Sequence, residues 1–207
     1  GVTLVDGTQI AARQVICNAD IWSTLALLPG SVATKWQHQR QATPACNGFL
    51  HLHLGFDATG LEDLPIHTVW VDDWDRGIVA ERNAVVLSIP SVLDPSMAPT
   101  GRHVLHAYTP ASEPWELWAD LERGSAAYQQ RKRERCVVFW RVLERRIPDI
   151  RERCELIMEG TPLTHSHFLN VHHGSYGPAV SAAEGLFPGV MTPLANFWLC
   201  GASTFPG

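Results

Sequence analysis

Three features of the sequence predict an α+β domain interrupted by, or inserted into, an α/β one. The chain opens on an extended hairpin that runs into a short helix. Consecutive strand patterns then fill residues 43–110, and helical spacing follows before a closing strand near residue 197. Length and composition permit this: 207 residues hold one large domain or two small ones, and 45% hydrophobic against 18% charged residues supply a sizeable core.

Each element has a local cause. In GVTLVDGTQIAARQVICNAD, Val2 and Leu4 alternate with polar neighbours and Asp6-Gly7 supplies a turn. Ile10, Ala12 and the run Val15-Ile16-Cys17 continue as extended chain. Asn18 and Asp20 read as the cap of a short helix through Leu27 and Leu28, stopped by Pro29-Gly30. In FLHLHLGF, Leu50, Leu52, Leu54 and Phe56 share one face and His51 and His53 the other. HTVWV, NAVVLSIPSV and RHVLHAYTP are further strands between Asp-, Gly- and Pro-rich turns, so an antiparallel or mixed sheet is expected.

A helix is predicted next, capped by Ser112, with Glu113 and Glu116 in its first turn and Trp115, Trp118 and Leu121 recurring until Gly124. A longer one runs from about Ser125, burying Cys136, Phe139, Trp140, Leu143 and Ile147 on one stripe, and Pro148 ends it. CELIMEGTPL returns as a strand. Residues 161–193, rich in Gly, Pro, His and Ser, read mostly as loop or short helix, and Phe197 to Cys200 as a strand entering Gly201.

Composition excludes several classes. A net charge of −5 and a pI near 6.0 give no broad basic surface for nucleic acid. The five cysteines are scattered, odd in number and without Cys-x-x-Cys, which predicts reduced thiols rather than a disulfide framework or zinc ribbon. No run of about 18 apolar residues occurs. The first Met is Met97 and the tail stops in turn-forming Pro206-Gly207, so the sequence reads as an internal or C-terminal piece of something longer.

The candidate chemical groups are histidines and carboxylates. His51-x-His53 and His165-x-His167 would each place two imidazoles on one face if extended, and His172-His173 adds a pair. With no carboxylate at ligand spacing and no His-Glu-x-x-His, no metal site is assigned. VDDWDRG (71–77) lacks the ordered spacing of a calcium loop and reads as an exposed acidic turn. Eight Trp offer area for a hydrophobic channel, although Trp at helical spacing is commonly core. There is no Gly-x-Gly-x-x-Gly, Walker loop or Gly-x-Ser-x-Gly, so the residues alone assign no catalytic motif.

Longer stretches carry a resemblance. FWLCGASTFPG resembles the Gly-Asp-Ser-Thr-Phe-Pro-Gly segment near the C-terminus of FAD-dependent carotenoid desaturases and isomerases. GTPLTHSHFLNVHHGSYGPAV is similar to the stretch that precedes it in that family. ATPACNGFLHLHLGFD, LSIPSVLDPSMAP, GRHVLHAYTP, PDIRERCE and DGTQIAARQVICNAD resemble the carotenoid isomerase branch, in collinear order over nearly the whole chain. The resemblance implies part of a two-domain FAD-dependent oxidoreductase fold. Residues 1–30 would be a partial FAD-binding segment, 31–165 a substrate-binding domain of strands and helices, and 166–207 a truncated return to the FAD-binding domain.

The implied activity is carotenoid cis–trans isomerisation of the prolycopene to all-trans-lycopene type. A related desaturase or retinol-saturase-like oxidoreductase is the alternative within the class, and an inactive gene fragment the alternative outside it. The resemblance implies FAD as cofactor, contacted by Gly201, Ala202, Ser203 and Thr204 and, by weaker analogy, Asn18 and Ala19; it assigns no catalytic residue. Without the upstream glycine motif, the isolated chain is expected not to bind FAD. Implied partners are a lipophilic polyene and a cyanobacterial or plastid membrane surface, met peripherally, and no nucleic acid. One position departs from the pattern: Ala202 stands where the family has Asp, and Ala cannot accept a hydrogen bond through its side chain.

Overall fold

The computed structural model describes residues 1–29, 34–181 and 187–205. Strands β1 (Val2–Thr3) and β2 (Gln9–Ile10) pair antiparallel around Asp6-Gly7. The Asp6 carboxylate accepts the Thr8 N–H at 2.8 Å, and Gly7 takes a left-handed φ of 86° that costs glycine little. Strand β3 (Val15–Cys17) leads into helix α1 (Ile21–Leu27), whose cap Asp20 accepts the Ser23 N–H at 2.6 Å. Gly30 of the expected stop lies outside the described residues, as do Pro206 and Gly207. Helix α2 (Thr34–Gln41) precedes strands β4 (His51–Asp57), β5 (His67–Val71), β6 (Ala84–Ser88) and β7 (Arg102–Tyr108). Helices α3 (Ala126–Arg146) and α4 (Ile150–Arg153), strand β8 (Cys154–Gly160), helix α5 (Pro162–Leu169) and strand β9 (Phe197–Leu199) complete the mixed α/β chain.

The chain divides into two compact units. One holds residues 1–46, 170–172 and 176–207, the other residues 47–169 and 173–175. In the first, β3 and β9 pair in parallel, Val15 opposite Phe197 and Cys17 opposite Leu199. The second is built on a five-stranded antiparallel sheet in the order β5-β6-β7-β4-β8.

Period-two alternation makes that sheet two-faced. Leu50, Leu52 and Phe56 are fully buried and Leu54 is 2% exposed, and their register partners Leu105 and Ala107 on β7 are buried with them. Helix α3 seals this face with the stripe Cys136, Phe139, Trp140 and Leu143. Each such side chain contributes roughly 1.5–3 kcal/mol by leaving water. Ser125 caps α3 by accepting the Tyr128 N–H at 3.2 Å. All five cysteines are unbridged. Among the described residues no helix is long and apolar enough to cross a membrane.

The helix expected over 112–124 does not form; only a 3-10 turn at Trp115–Leu117 appears there. Pro114 removes the expected start at Ser112 and Glu113, because a residue before proline is pushed out of the helical region. Glu113 is therefore extended and bridges Gly48, each N–H donating to the other's carbonyl at 3.0 Å. Its side chain is fully buried, and Ser112 is buried rather than capping. The Glu113 carboxylate accepts from Trp118 Nε1 at 3.0 Å and from Arg135 Nε and Nη2 at 2.9 and 2.7 Å. Burial pushes the Glu113 carboxyl up, against the pull of Arg135 and Trp118. Arg135 also reaches Glu81 at 2.5 Å.

This network generates a stability prediction. Arg135→Met strands a buried carboxylate and is expected to cost about 3–5 kcal/mol in urea unfolding. Adding Glu113→Gln, which removes the charge and keeps an acceptor for Trp118, is expected to recover a large part of that loss. Equal midpoints for the single and double variants would contradict it.

Candidate functional site

Two segments far apart in sequence leave the same end of one strand pair. Because β3 and β9 are parallel, Asn18-Ala19 and the turn Gly201–Thr204 both follow carboxyl ends of adjacent strands. The Cys200 N–H donates to the Cys17 carbonyl at 3.0 Å and extends the ladder to the turn itself. Thr204 closes the turn twice, its N–H and its hydroxyl each donating to the Gly201 carbonyl at 3.0 Å. Ser203 and Thr204 are 4% and 2% exposed, whereas Ala202 is exposed.

Glycine is required at position 201. Its φ is 92°, and a Cβ there would run into the Asn18 side-chain oxygen. A second glycine, Gly177 at φ 124°, approaches the other side of the turn, where a Cβ would stand 2.8 Å from the Ala202 carbonyl oxygen. All six residues singled out from the sequence, Asn18, Ala19, Gly201, Ala202, Ser203 and Thr204, thus lie at one strand end in one unit. The Ser203 and Thr204 side chains turn inward, so the turn offers outward its backbone and the Ala202 methyl.

A nearby clamp escaped the sequence reading. Besides capping α1, the Asp20 carboxylate accepts the His172 N–H at 2.6 Å, and the His172 ring stacks on Trp22 with centroids 4.9 Å apart. Asp20 has the sequence signal of a cap only; a partner 152 positions on leaves no local trace.

The second unit carries a histidine cluster on the sheet face opposite its core. Register sets one row, Met158, His53, His106, Ser88 and His67, across β8, β4, β7, β6 and β5. The next row places Gly160, His51 and Tyr108 side by side. His53 and His106 stack at 4.5 Å and 4°, and His51 Nδ1 lies 2.7 Å from His106 Nε2 in a hydrogen bond. His165 of α5 meets His51 edge-on at 4.6 Å. Helix α5 is held by reciprocal bonds, the Thr164 N–H to Thr161 Oγ1 at 3.3 Å and the Thr161 N–H to Thr164 Oγ1 at 3.1 Å. The Tyr128 hydroxyl bonds both threonine hydroxyls at 3.1 Å.

The other histidine pairings expected from spacing do not form. Residues 165–167 are helical, so His167 turns away to pack on Phe168 at 4.8 Å. His172 and His173 part company, each in a different unit, with His173 stacked on Trp115 at 5.0 Å. The 71–77 stretch is an exposed acidic turn in which Asp73 accepts the Asp75 N–H at 2.9 Å.

Burial, then the neighbouring rings of His165, His106 and His53, push His51 down to about 3. Burial likewise lowers His53, His106 and His165. A histidine lowered on folding binds protons preferentially in the unfolded chain, so its stabilising effect is complete above the ordinary value near 6.5 and is lost as pH falls through it. His53, His106, Tyr108, Phe49 and His165 surround His51. Metal-free protein is therefore expected to lose urea stability between pH 7 and 5, with a shallower loss in His51→Gln. Parallel pH profiles would refute this. In the first unit, Gly201→Ala is expected to destabilise by at least about 1–2 kcal/mol for its left-handed backbone. Asn18→Gly in the same chain should relieve only the part due to the clash, as thermal melting would show.

No protein-family model matches the chain. The prolycopene isomerase of Arabidopsis thaliana is 34% identical over 219 residues, an alignment that takes in 100% of this chain and 35% of that protein. The phytoene desaturase (lycopene-forming) of a Paracoccus strain is 26% identical over 223 residues, covering 100% of this chain and 43% of its own length. Among solved structures, an oxidoreductase from Methanosarcina mazei aligns with a TM-score of 0.50 over 96% of this chain and 40% of that one; at 13% identity the likeness concerns the fold alone. The chain spans about a third of the length of the prolycopene isomerases it matches. From its first residue to its last, this chain is homologous to the prolycopene isomerases, at 31–34% identity.

Proposed function

We propose that the chain contributes a cofactor-contacting turn and a polyene-facing sheet to an FAD-dependent carotenoid cis–trans isomerase. The whole-length similarity to prolycopene isomerases carries this reading. Two structural features support the fit of a flavin cofactor to the first unit. Ligands of open α/β sheets lie outside the carboxyl ends of parallel strands, which is where Asn18-Ala19 and Gly201–Thr204 emerge. Gly201 makes room for the Asn18 side chain and Ser203 and Thr204 fold inward, so Ala202 is the exposed residue of the turn at that strand end.

In this proposal Gly201, Ala202, Ser203, Thr204, Asn18 and Ala19 line the cofactor side. These residues would hold a reduced flavin, which would supply the electron density that weakens a polyene double bond for rotation, with no net redox change. The chain's own part is positioning. Thr204 locks the turn, Asn18 fills the space beside Gly201, and Asp20 ties the start of α1 to residue 172. In the second unit, the sheet face away from α3 exposes Val69, Leu156 and Met158, apolar area suited to a hydrocarbon chain. A substrate dissolved in lipid is collected at a membrane surface, a plastid or cyanobacterial one by analogy with the chloroplastic relatives.

Ala202 makes the proposal quantitative. Replacing the family's carboxylate forfeits a charge-assisted hydrogen bond worth about 1.5–3 kcal/mol, which corresponds to about one to two decades of affinity. In the full-length protein, Ala202→Asp is expected to tighten flavin binding by that factor in a fluorescence titration. Equal affinities would remove Ala202 from the cofactor side. Activity is tested with reduced FAD and a poly-cis lycopene, products being separated by chromatography. All-trans product with an unchanged number of double bonds, and no electron acceptor consumed, is expected. New double bonds formed at the expense of an acceptor would establish the desaturase reading instead.

A further inference from the structure

We propose that His51, His53 and His106, with His165 beside them, bind a divalent transition-metal ion of the zinc class on the open face of the five-stranded sheet. The site is independent of the flavin reading and lies wholly within the second unit.

Geometry carries the inference. Antiparallel register sets His53 directly opposite His106, and His51 follows two residues before His53 on the same face. One ligand nitrogen from each of these three rings can be chosen so that all lie within 4.8 Å of one another. Zinc–imidazole bonds of 2.0–2.1 Å in a tetrahedral shell put ligand nitrogens about 3.4 Å apart. A separation at the 4.8 Å limit closes by about 1.4 Å, a change that rotation of the rings on a fixed backbone supplies. His165 of α5 packs against the edge of His51, outside the group of three.

A second observation argues for a ligand rather than a mere stack of rings. The Nε2 atom of His51 is buried and has no hydrogen-bond partner among the described residues. A buried polar nitrogen left without a partner costs free energy, and coordination would satisfy it. Its environment is rich in imidazole, a ligand type matched to zinc, copper and nickel rather than to magnesium or calcium. Occupied, the site would tie β4 to β7 through side chains that are otherwise joined by a hydrogen bond and ring contacts.

The test uses the 207-residue chain after treatment with a chelator. Titration with Zn2+ by calorimetry is expected to show one equivalent bound, and Co2+ in its place to give visible absorption of tetrahedral strength. His53→Gln with His106→Gln is expected to lower Zn2+ affinity at least tenfold, while His38→Gln, on α2 in the other unit, leaves it unchanged. Equal affinity and stoichiometry in the double variant would overturn the proposal, as would no binding by the unaltered chain. Should the double variant lose its far-UV circular dichroism, the unaltered chain still decides. Zn2+ is expected to protect His51, His53 and His106 from diethylpyrocarbonate, read by mass spectrometry. Unchanged modification of these three would overturn the assignment.

Discussion

Strand β4 is the constraint on which the second unit depends. It pairs with β7 on one side and β8 on the other, so its alternation sets the register of both neighbours. Leu52, Leu54 and Phe56 must face α3, because a slip of one residue would bury His51 and His53 in their place. With the apolar set committed inward, the imidazoles have only the opposite face. The histidine cluster is thus a by-product of the core. It could not be elsewhere while the core is where it is.

Glu113 shows the same economy in the connecting segment. Proline at 114 denies it a helix, its backbone completes a bridge with Gly48, and its carboxylate is left deep in the unit. Arg135, from the middle of α3, meets that charge with two hydrogen bonds. A buried ion pair of this kind contributes little net stability against a hydrophobic alternative, but it penalises every packing in which one partner is missing. It therefore acts on the alignment of α3 against the segment before it.

The parts of the fold legible in the sequence are those with a local signature. The Asp6-Gly7 turn, the cap at Asp20, the alternation at 50–56, and the Ser125 start and Pro148 stop of α3 all depend on neighbours within a few residues. What the sequence hid depends on long separations or competing signals. Trp115, Trp118 and Leu121 have helical spacing, yet only the 3-10 turn at Trp115–Leu117 forms there. His165 and His167 look like a pair only if extended, and the Thr161–Thr164 cap makes that segment a helix. The third imidazole of the cluster, His106, sits on another strand, so spacing along β4 alone could not reveal it. At the strand ends of the first unit, the turn glycine was legible as a turn, while its close approach to Asn18 appears only once β3 and β9 are parallel neighbours.

That parallel pair has a consequence for how the protein is made. The second unit closes on itself by residue 175; in its sheet β5, β6 and β7 join neighbours in sequence, while β4 pairs across longer separations with β7 and β8. The first unit joins Val15–Cys17 to Phe197–Leu199, nearly opposite ends of the chain. Closing so long a loop is entropically costly and slow. On a ribosome, β3 waits unpaired while the whole second unit is synthesised and folds between it and its partner. The order of assembly is then imposed by topology: the sheet bearing the histidines matures first, and the turn at Gly201 is set after it.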